Sequence, residues 1–178
     1  SQPYNTRDVG GGGASPGTMV EVEVCVKRVV NGLEELEILA GTDLGTSDWL
    51  TVTQDMVDTF SEVTGDHQWI HLDVERARRE LPFGGPIVQG LLTLSLIVRF
   101  RYEILELRGV TRFINYGYDR VRFTAPIPVG SRLRATQSLL VAERIAPDVL
   151  RTKSKFIMEA EGIEKPVCIA EAITLVYA

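Results

Sequence analysis

Only two cysteines and two histidines occur in 178 residues, and both scarcities narrow the chemistry. Cys25 and Cys168 match no metal or redox spacing. They read as ordinary reduced thiols, which points to the cytoplasm. Positive charge is not in excess either. A formal net charge of −5 leaves no electrostatic footprint for nucleic acid and no general pull toward acidic lipid. Long apolar runs are absent. The longest, Ile87 to Val98, is interrupted by Gln89 and stopped by Arg99 and Arg101. That is well short of the ~20 residues a spanning helix needs, so no membrane segment is expected. No apolar stretch with a small-residue cleavage site stands near the first residues, and no internal repeat is visible.

What remains is the composition of an ordinary soluble domain, 44% apolar and 24% charged, in a chain long enough to bury a sizeable core. Residues 1–18 differ from the rest. Gly10 to Gly13 run together, Ser15, Pro16 and Gly17 follow, and the first methionine is Met19. This segment is expected to be a flexible leader or an expression remnant, with a single domain over 19–178.

Periodicity predicts the elements. Val20, Val22, Val24 and Val26 alternate with polar partners, a strand pattern, whereas Gly32 to Ala40 has helical spacing. Trp49 to Val52 reads as a short strand. A helix is expected to start after Thr53, with Asp55 in its first turn, and to end at Gly65. A second, Val74 to Glu80, is capped by Asp73. The segment Val88 to Leu105 is apolar nearly all round in its first half, so it predicts one long buried helix of ~27 Å. Beyond Gly109 the period changes to that of strands: Arg112 to Phe123, Ser131 to Ala142, Val149 to Glu161 and Pro166 to Tyr177. In the second, Leu133, Ala135, Leu139 and Val141 share one parity. Proline and glycine turns separate the four, which predicts an antiparallel sheet. The fold class is therefore α+β, a sheet set against one long central helix.

Both histidines fall in the loop before that helix, in Gly65-Asp66-His67-Gln68-Trp69-Ile70-His71. A carboxylate and an imidazole brought to one point can take a proton from water and return one to carbon. The plain alternative is a surface loop whose histidines only bond backbone. A metal is not expected, because zinc wants three or four ligands and no third is suggested. Gly84-Gly85-Pro86-Ile87-Val88-Gln89-Gly90 leads into the start of the buried helix. Free N–H groups there suit a developing oxyanion, and Gly90 allows close approach, although close helix–sheet packing would explain the glycine equally well.

These two segments, in this order, resemble the MaoC-like hot-dog dehydratases, the family of R-specific enoyl-CoA hydratases. The family's first motif is a Gly-Asp pair followed after four residues by a histidine, matched by Gly65, Asp66 and His71. The second is a glycine- and proline-rich turn into an apolar helix, matched from Phe83 to Leu96. Ile114 to Ser131 resembles the family's following strand and turn. The resemblance implies a hot-dog fold, with the antiparallel sheet wrapped around the long helix, and a homodimer. It implies R-specific hydration of trans-2-enoyl thioesters, carried by coenzyme A or an acyl carrier protein, or the reverse dehydration, without a cofactor. Asp66 and His71 would be catalytic. Gly90 would polarise the thioester carbonyl, Gln89 would touch the substrate or a water, and Ser95 would support the carboxylate. Gln89 departs from the family, which usually has histidine there. The rival expectation is that Gln89 points away from the site and packs against its neighbours. Two other functions stay open: an acyl-thioester-binding protein without chemistry, and a dehydratase serving a biosynthetic pathway on a carrier protein.

Overall fold

A computed structural model describes residues 27–178. The leader over 1–18 and the strand expected over Val20 to Val26 lie outside those residues. In chain order the elements are β1 (Arg28–Asn31), α1 (Gly32–Ile38), β2 (Thr42–Thr46), β3 (Leu50–Thr51), α2 (Gln54–Thr64), α3 (Trp69–Leu72) and α4 (Val74–Glu80). Then come α5 (Gly90–Ser95), α6 (Ile97–Ile104), β4 (Leu105–Arg108), β5 (Arg112–Phe123), β6 (Arg132–Ala146), β7 (Val149–Ala160) and β8 (Cys168–Tyr177).

The large sheet is antiparallel, in the order β2-β6-β7-β8-β5, with β3 also paired to β6. Its inner face alternates as the sequence does. In β7, Thr152, Ser154, Phe156, Met158 and Ala160 are all buried. Against that face lie α5 and α6, whose Leu92, Leu96, Ile97 and Phe100 join Phe156, Met158 and Ala170 in one core. Burying one such side chain stabilises by about 1.5–3 kcal/mol, so the helix face holds the sheet's curvature. A second core, around Leu33, Leu36, Leu139 and Leu150, seats α1 on the other end of the sheet. This is the hot-dog arrangement, a sheet folded round a central helix. Among the described residues no helix is long and apolar enough to cross a membrane.

The local signals act as their chemistry dictates. Thr53 caps α2 by accepting from the Met56 N–H, and Gly65 ends it at φ 72°. Asp73 caps α4 by accepting from the Arg76 N–H at 2.9 Å.

The long helix is shorter than expected at both ends. Ile87 and Val88 are held extended instead, because the Ile87 N–H donates to Ile70 O and the Val88 N–H to Ile127 O. Helix therefore begins only at Gly90. At the far end Leu105 turns into β4, which pairs in parallel with β1. Leu96 marks a slight irregularity between α5 and α6, yet its N–H still reaches Leu92 O and its carbonyl still accepts from Phe100. The two helices thus run on as one rod. The parity expected through Val141 also fails. A bulge in the β6–β7 register lies between Leu139 and Val141, and it turns Val141 outward to 45% exposure.

Candidate active site

The site is assembled where α2 hands over to α3. Gly65 takes the left-handed conformation that stops α2, and the chain reverses. Asp66 Oδ1 then accepts from the Gln68 N–H at 3.4 Å. Trp69 to Leu72 form a single turn, with the Trp69 ring under the Arg76 guanidinium at 4.0 Å. Two outside bonds fix this turn. Gln54 Nε2 donates to His71 O at 2.9 Å, and the Ile87 N–H donates to Ile70 O at 3.0 Å. So α2 and the strand-like segment before α5 both grip α3, and the grip sets where His71 points.

His71 is buried, 5% exposed. Its Nδ1 lies 2.6 Å from the Ile87 carbonyl. A carbonyl only accepts, so Nδ1 carries the proton, and neutral His71 keeps its lone pair on Nε2. That Nε2 faces Asp66, with Oδ2 at 3.9 Å. The gap is too wide for a direct hydrogen bond but fits two groups sharing a third between them. The Asp66 side chain is 35% exposed, so its carboxylate stays in touch with solvent. His67, the other histidine of the loop, is exposed.

A cavity of about 320 Å³ opens beside His71. Its walls include Gly90, Thr93, Phe123 and Val167. Gly90 is the first residue of α5, whose start has no side-chain cap. A Cβ on Gly90 would meet the Phe123 ring at 3.0 Å, so glycine is what lets the ring lie against the helix start.

Two residues expected at the site are placed elsewhere. Gln89 is 2% exposed and turned toward α2, where its Nε2 donates to Val57 O at 3.1 Å and Ser61 Oγ at 2.8 Å. It does not line the cavity beside His71. The geometry is that of the rival expectation, an internal anchor, because a buried amide spends its donors on the nearest helix. Ser95 is exposed, and its hydroxyl donates to Leu91 O at 2.8 Å. It makes no hydrogen bond to Asp66 within this chain. A serine on the outer face of a helix bonds back one turn when nothing else is in reach.

Sequence reasoning missed Gln54, the Ile87 carbonyl, Thr93 and Phe123. The carbonyl and the Gln54 tie leave no trace in a side-chain pattern. Phe123 was legible only as the last residue of a strand.

Comparison with known proteins gives a consistent picture. The family model described as MaoC like domain matches residues 36–153. The 3-hydroxyacyl-thioester dehydratase Z of Mycobacterium tuberculosis is 44% identical over 146 residues, spanning 82% of this chain and 96% of that protein. Nodulation protein N of Rhizobium meliloti is 39% identical over 144 residues, spanning 80% and 89%. Among solved structures, the unliganded R-hydratase PhaJ1 of Pseudomonas aeruginosa superposes with a TM-score of 0.61 at 24% identity, over 80% of this chain and 83% of that one. At that identity the structural likeness speaks to the fold alone.

Proposed function

The chain belongs to the MaoC-like dehydratase domain family, and from that premise we propose that it is a hydro-lyase acting on acyl thioesters: it adds water across a trans-2-enoyl thioester to give the 3R-hydroxyacyl thioester, or runs the reverse. The observation that carries the reading is the His71–Asp66 pair, with its Nε2 and Oδ2 separated by 3.9 Å beside a cavity and its tautomer set by the Ile87 carbonyl. The dehydratase named for 3-hydroxyacyl thioesters, 44% identical, supports the same reaction class.

In the hydration direction a water sits between Nε2 and the Asp66 carboxylate and donates to both. As its oxygen attacks C3, one of its protons passes to the pair. Negative charge moves through C2 to the thioester oxygen, which the Gly90 N–H receives. The pair then gives a proton to C2, and both groups return to their starting state. Proton transfers of this kind typically contribute 10²–10⁴-fold, and a positioned oxyanion donor adds a few kcal/mol. Every group required is a side chain or backbone amide of this chain.

The same reading makes the protein a cytoplasmic homodimer. Among the described residues β5 has β8 as its one sheet neighbour, and it exposes Ile114, Tyr116 and Phe123. An apolar edge strand of that kind invites pairing with a second copy. The test is a hydration assay with crotonyl-, hexenoyl- and decenoyl-CoA, followed by chiral analysis of the product. Loss of the enoyl absorbance with 3R product is expected. No turnover with any of the three, or 3S product, would overturn the reading.

A further inference from the structure

The backbone and ring of His71 carry four polar groups, and three of them are tied down. Its backbone N–H donates to Gln68 O at 3.1 Å, its Nδ1 donates to Ile87 O at 2.6 Å, and its carbonyl accepts from Gln54 Nε2 at 2.9 Å. The fourth, Nε2, faces Asp66. The turn that carries the ring, Trp69–Leu72, is only four residues long. A helix that short does not hold itself in water, so contacts from outside must hold it. Ile87 supplies two bonds, its N–H to Ile70 O and its carbonyl to the ring. Both come from one residue, so the turn can still pivot about it. Gln54, the first residue of α2, supplies a hold from a second element. Among the described residues it is the one side chain that bonds the backbone of Trp69–Leu72.

The amide of Gln54 is itself aimed. Its Nε2 also donates to Asp58 Oδ1 at 2.8 Å, one turn along α2. A carboxylate and a carbonyl both accept only, so the atom between them is the amide nitrogen, with one hydrogen for each. Gln54 is half-buried and Asp58 exposed, and neither lines the cavity beside His71. The pair therefore acts on the site through the turn and not by touching a substrate. What it acts on is sensitive to placement. His71 Nε2 and Asp66 Oδ2 are 3.9 Å apart, a gap that serves one shared water. Groups of this kind work when held to within about 0.5 Å, and a misplacement of about 1 Å can cost 10²-fold in rate.

We propose that Gln54 is a positioning residue for His71: its bond to the His71 carbonyl, aimed by Asp58, keeps Nδ1 on the Ile87 carbonyl and so keeps the Nε2 lone pair turned toward Asp66. The proposal rests on the hydratase reading of the Asp66–His71 pair. Without that bond the turn rocks about Ile87, and the contact from Nδ1 to Ile87 O is no longer held. The proton is then shared between the two ring nitrogens. A ring protonated at Nε2 cannot accept from the water, so that fraction of the molecules is idle. The loss falls on kcat and leaves KM alone.

The experiment reads the ring and the rate together. The chain has two histidines, so heteronuclear NMR of histidine-labelled protein follows two rings, and exposed His67 is the internal reference. Spectra near pH 8.5, above the ordinary imidazole value of ~6.5, show which ring nitrogen carries the proton. In the wild type, His71 should be protonated at Nδ1 alone. In Gln54→Leu the proton should be shared between both nitrogens of His71 with His67 unmoved. The kcat of that variant, on whichever of the three enoyl-CoA substrates is turned over best, should fall by about tenfold or more, with KM within about twofold. Gln54→Glu keeps the shape and, once ionised, has no donor. It should behave the same way, and it answers the question if Gln54→Leu does not fold, as circular dichroism would show. Gln54→Lys keeps donors for both acceptors and should restore the single tautomer and a kcat within about threefold of wild type. A His71 proton that stays on Nδ1 in both Gln54→Leu and Gln54→Glu overturns the proposal, whatever the rate does. So does a shared proton with wild-type kcat, or a lowered Tm as the sole change. If the wild type turns over no enoyl thioester, the hydratase reading fails on its own, and the ring spectra still decide whether Gln54 places His71.

Discussion

Gln89→Glu separates an internal anchor from a group that works in the cavity, because the two side chains have nearly the same shape. Gln89 is 2% exposed and gives both its amide hydrogen bonds to α2, at Val57 O and Ser61 Oγ. Ionised glutamate has no donor and brings a charge into a site that offers no cation among the described residues, while the protonated form keeps one O–H donor. The cheaper response is to stay protonated. Holding a carboxyl of ordinary value ~4.3 neutral at pH 7 costs about 1.36 kcal/mol per unit, or roughly 3–4 kcal/mol. For a domain of this size that is a fall in Tm of roughly 7–14 °C. A carboxyl whose folded value is raised has its stability intact below the unfolded value and loses it as pH rises. The deficit should therefore be large at pH 7 and shrink as pH falls toward the ordinary carboxyl range. Thermal unfolding by circular dichroism at both ends of that range reads the effect, and Gln89→Met, which cannot ionise, serves as the uncharged control. A variant within about 2 °C of wild type at pH 7, together with a changed rate, would show that Gln89 meets solvent and substrate instead, and the anchor argument would be wrong.

Asp66→Asn should lower turnover by about 10²–10⁴-fold while Tm hardly moves, since the carboxylate is partly exposed and 3.9 Å from its partner; near wild-type turnover would remove Asp66 from the mechanism. Gly90→Ala should lower kcat/KM at a stability cost of about 1–3 kcal/mol, because the new methyl meets the Phe123 ring at 3.0 Å. Adding Phe123→Leu should recover most of that cost, and no recovery would mean the clash is not the cause. Cys168 is 0% exposed, and burial pushes its thiol from 9.0 up to about 11. Iodoacetamide near pH 8 should therefore label it only after unfolding, as peptide mass spectrometry would show. Stability tied to this thiol is complete below pH 9 and lost toward pH 11, because only the unfolded thiol ionises in that window.

The fold was legible wherever local chemistry decides the outcome. Thr53, Asp73 and Gly65 bracket α2 and α4 because caps act through bonds one turn away. The limits of β5 were marked by the turn residues around it, Gly109 before and Pro126 after. What could not be read was decided at long range. β4 exists because β1 lies beside it, and Ile87 and Val88 are extended because Ile70 and Ile127 take their N–H bonds. Nothing within Pro86 to Gly90 forbids a helix. The bulge beyond Leu139 is likewise a property of the β6–β7 pairing, and it cancels an apolar alternation that looked sound in one strand.

The same division runs through the site. Asp66 and His71 could be named because a family motif marks them; the loop by itself left open a surface segment whose histidines only bond backbone, and His67 beside Asp66 is exposed. Gln89 and Ser95 were assigned by adjacency to Gly90 along the chain, and adjacency on a helix is a poor guide to direction. Successive residues diverge by about 100°, so the neighbour of a cavity-lining glycine faces elsewhere. Gly90 faces Phe123 and the cavity, while Gln89 faces Ser61. A residue three turns away shares the glycine's face more nearly than its own neighbour does. The histidine-to-glutamine change beside Gly90 bears first on how α5 is held to α2.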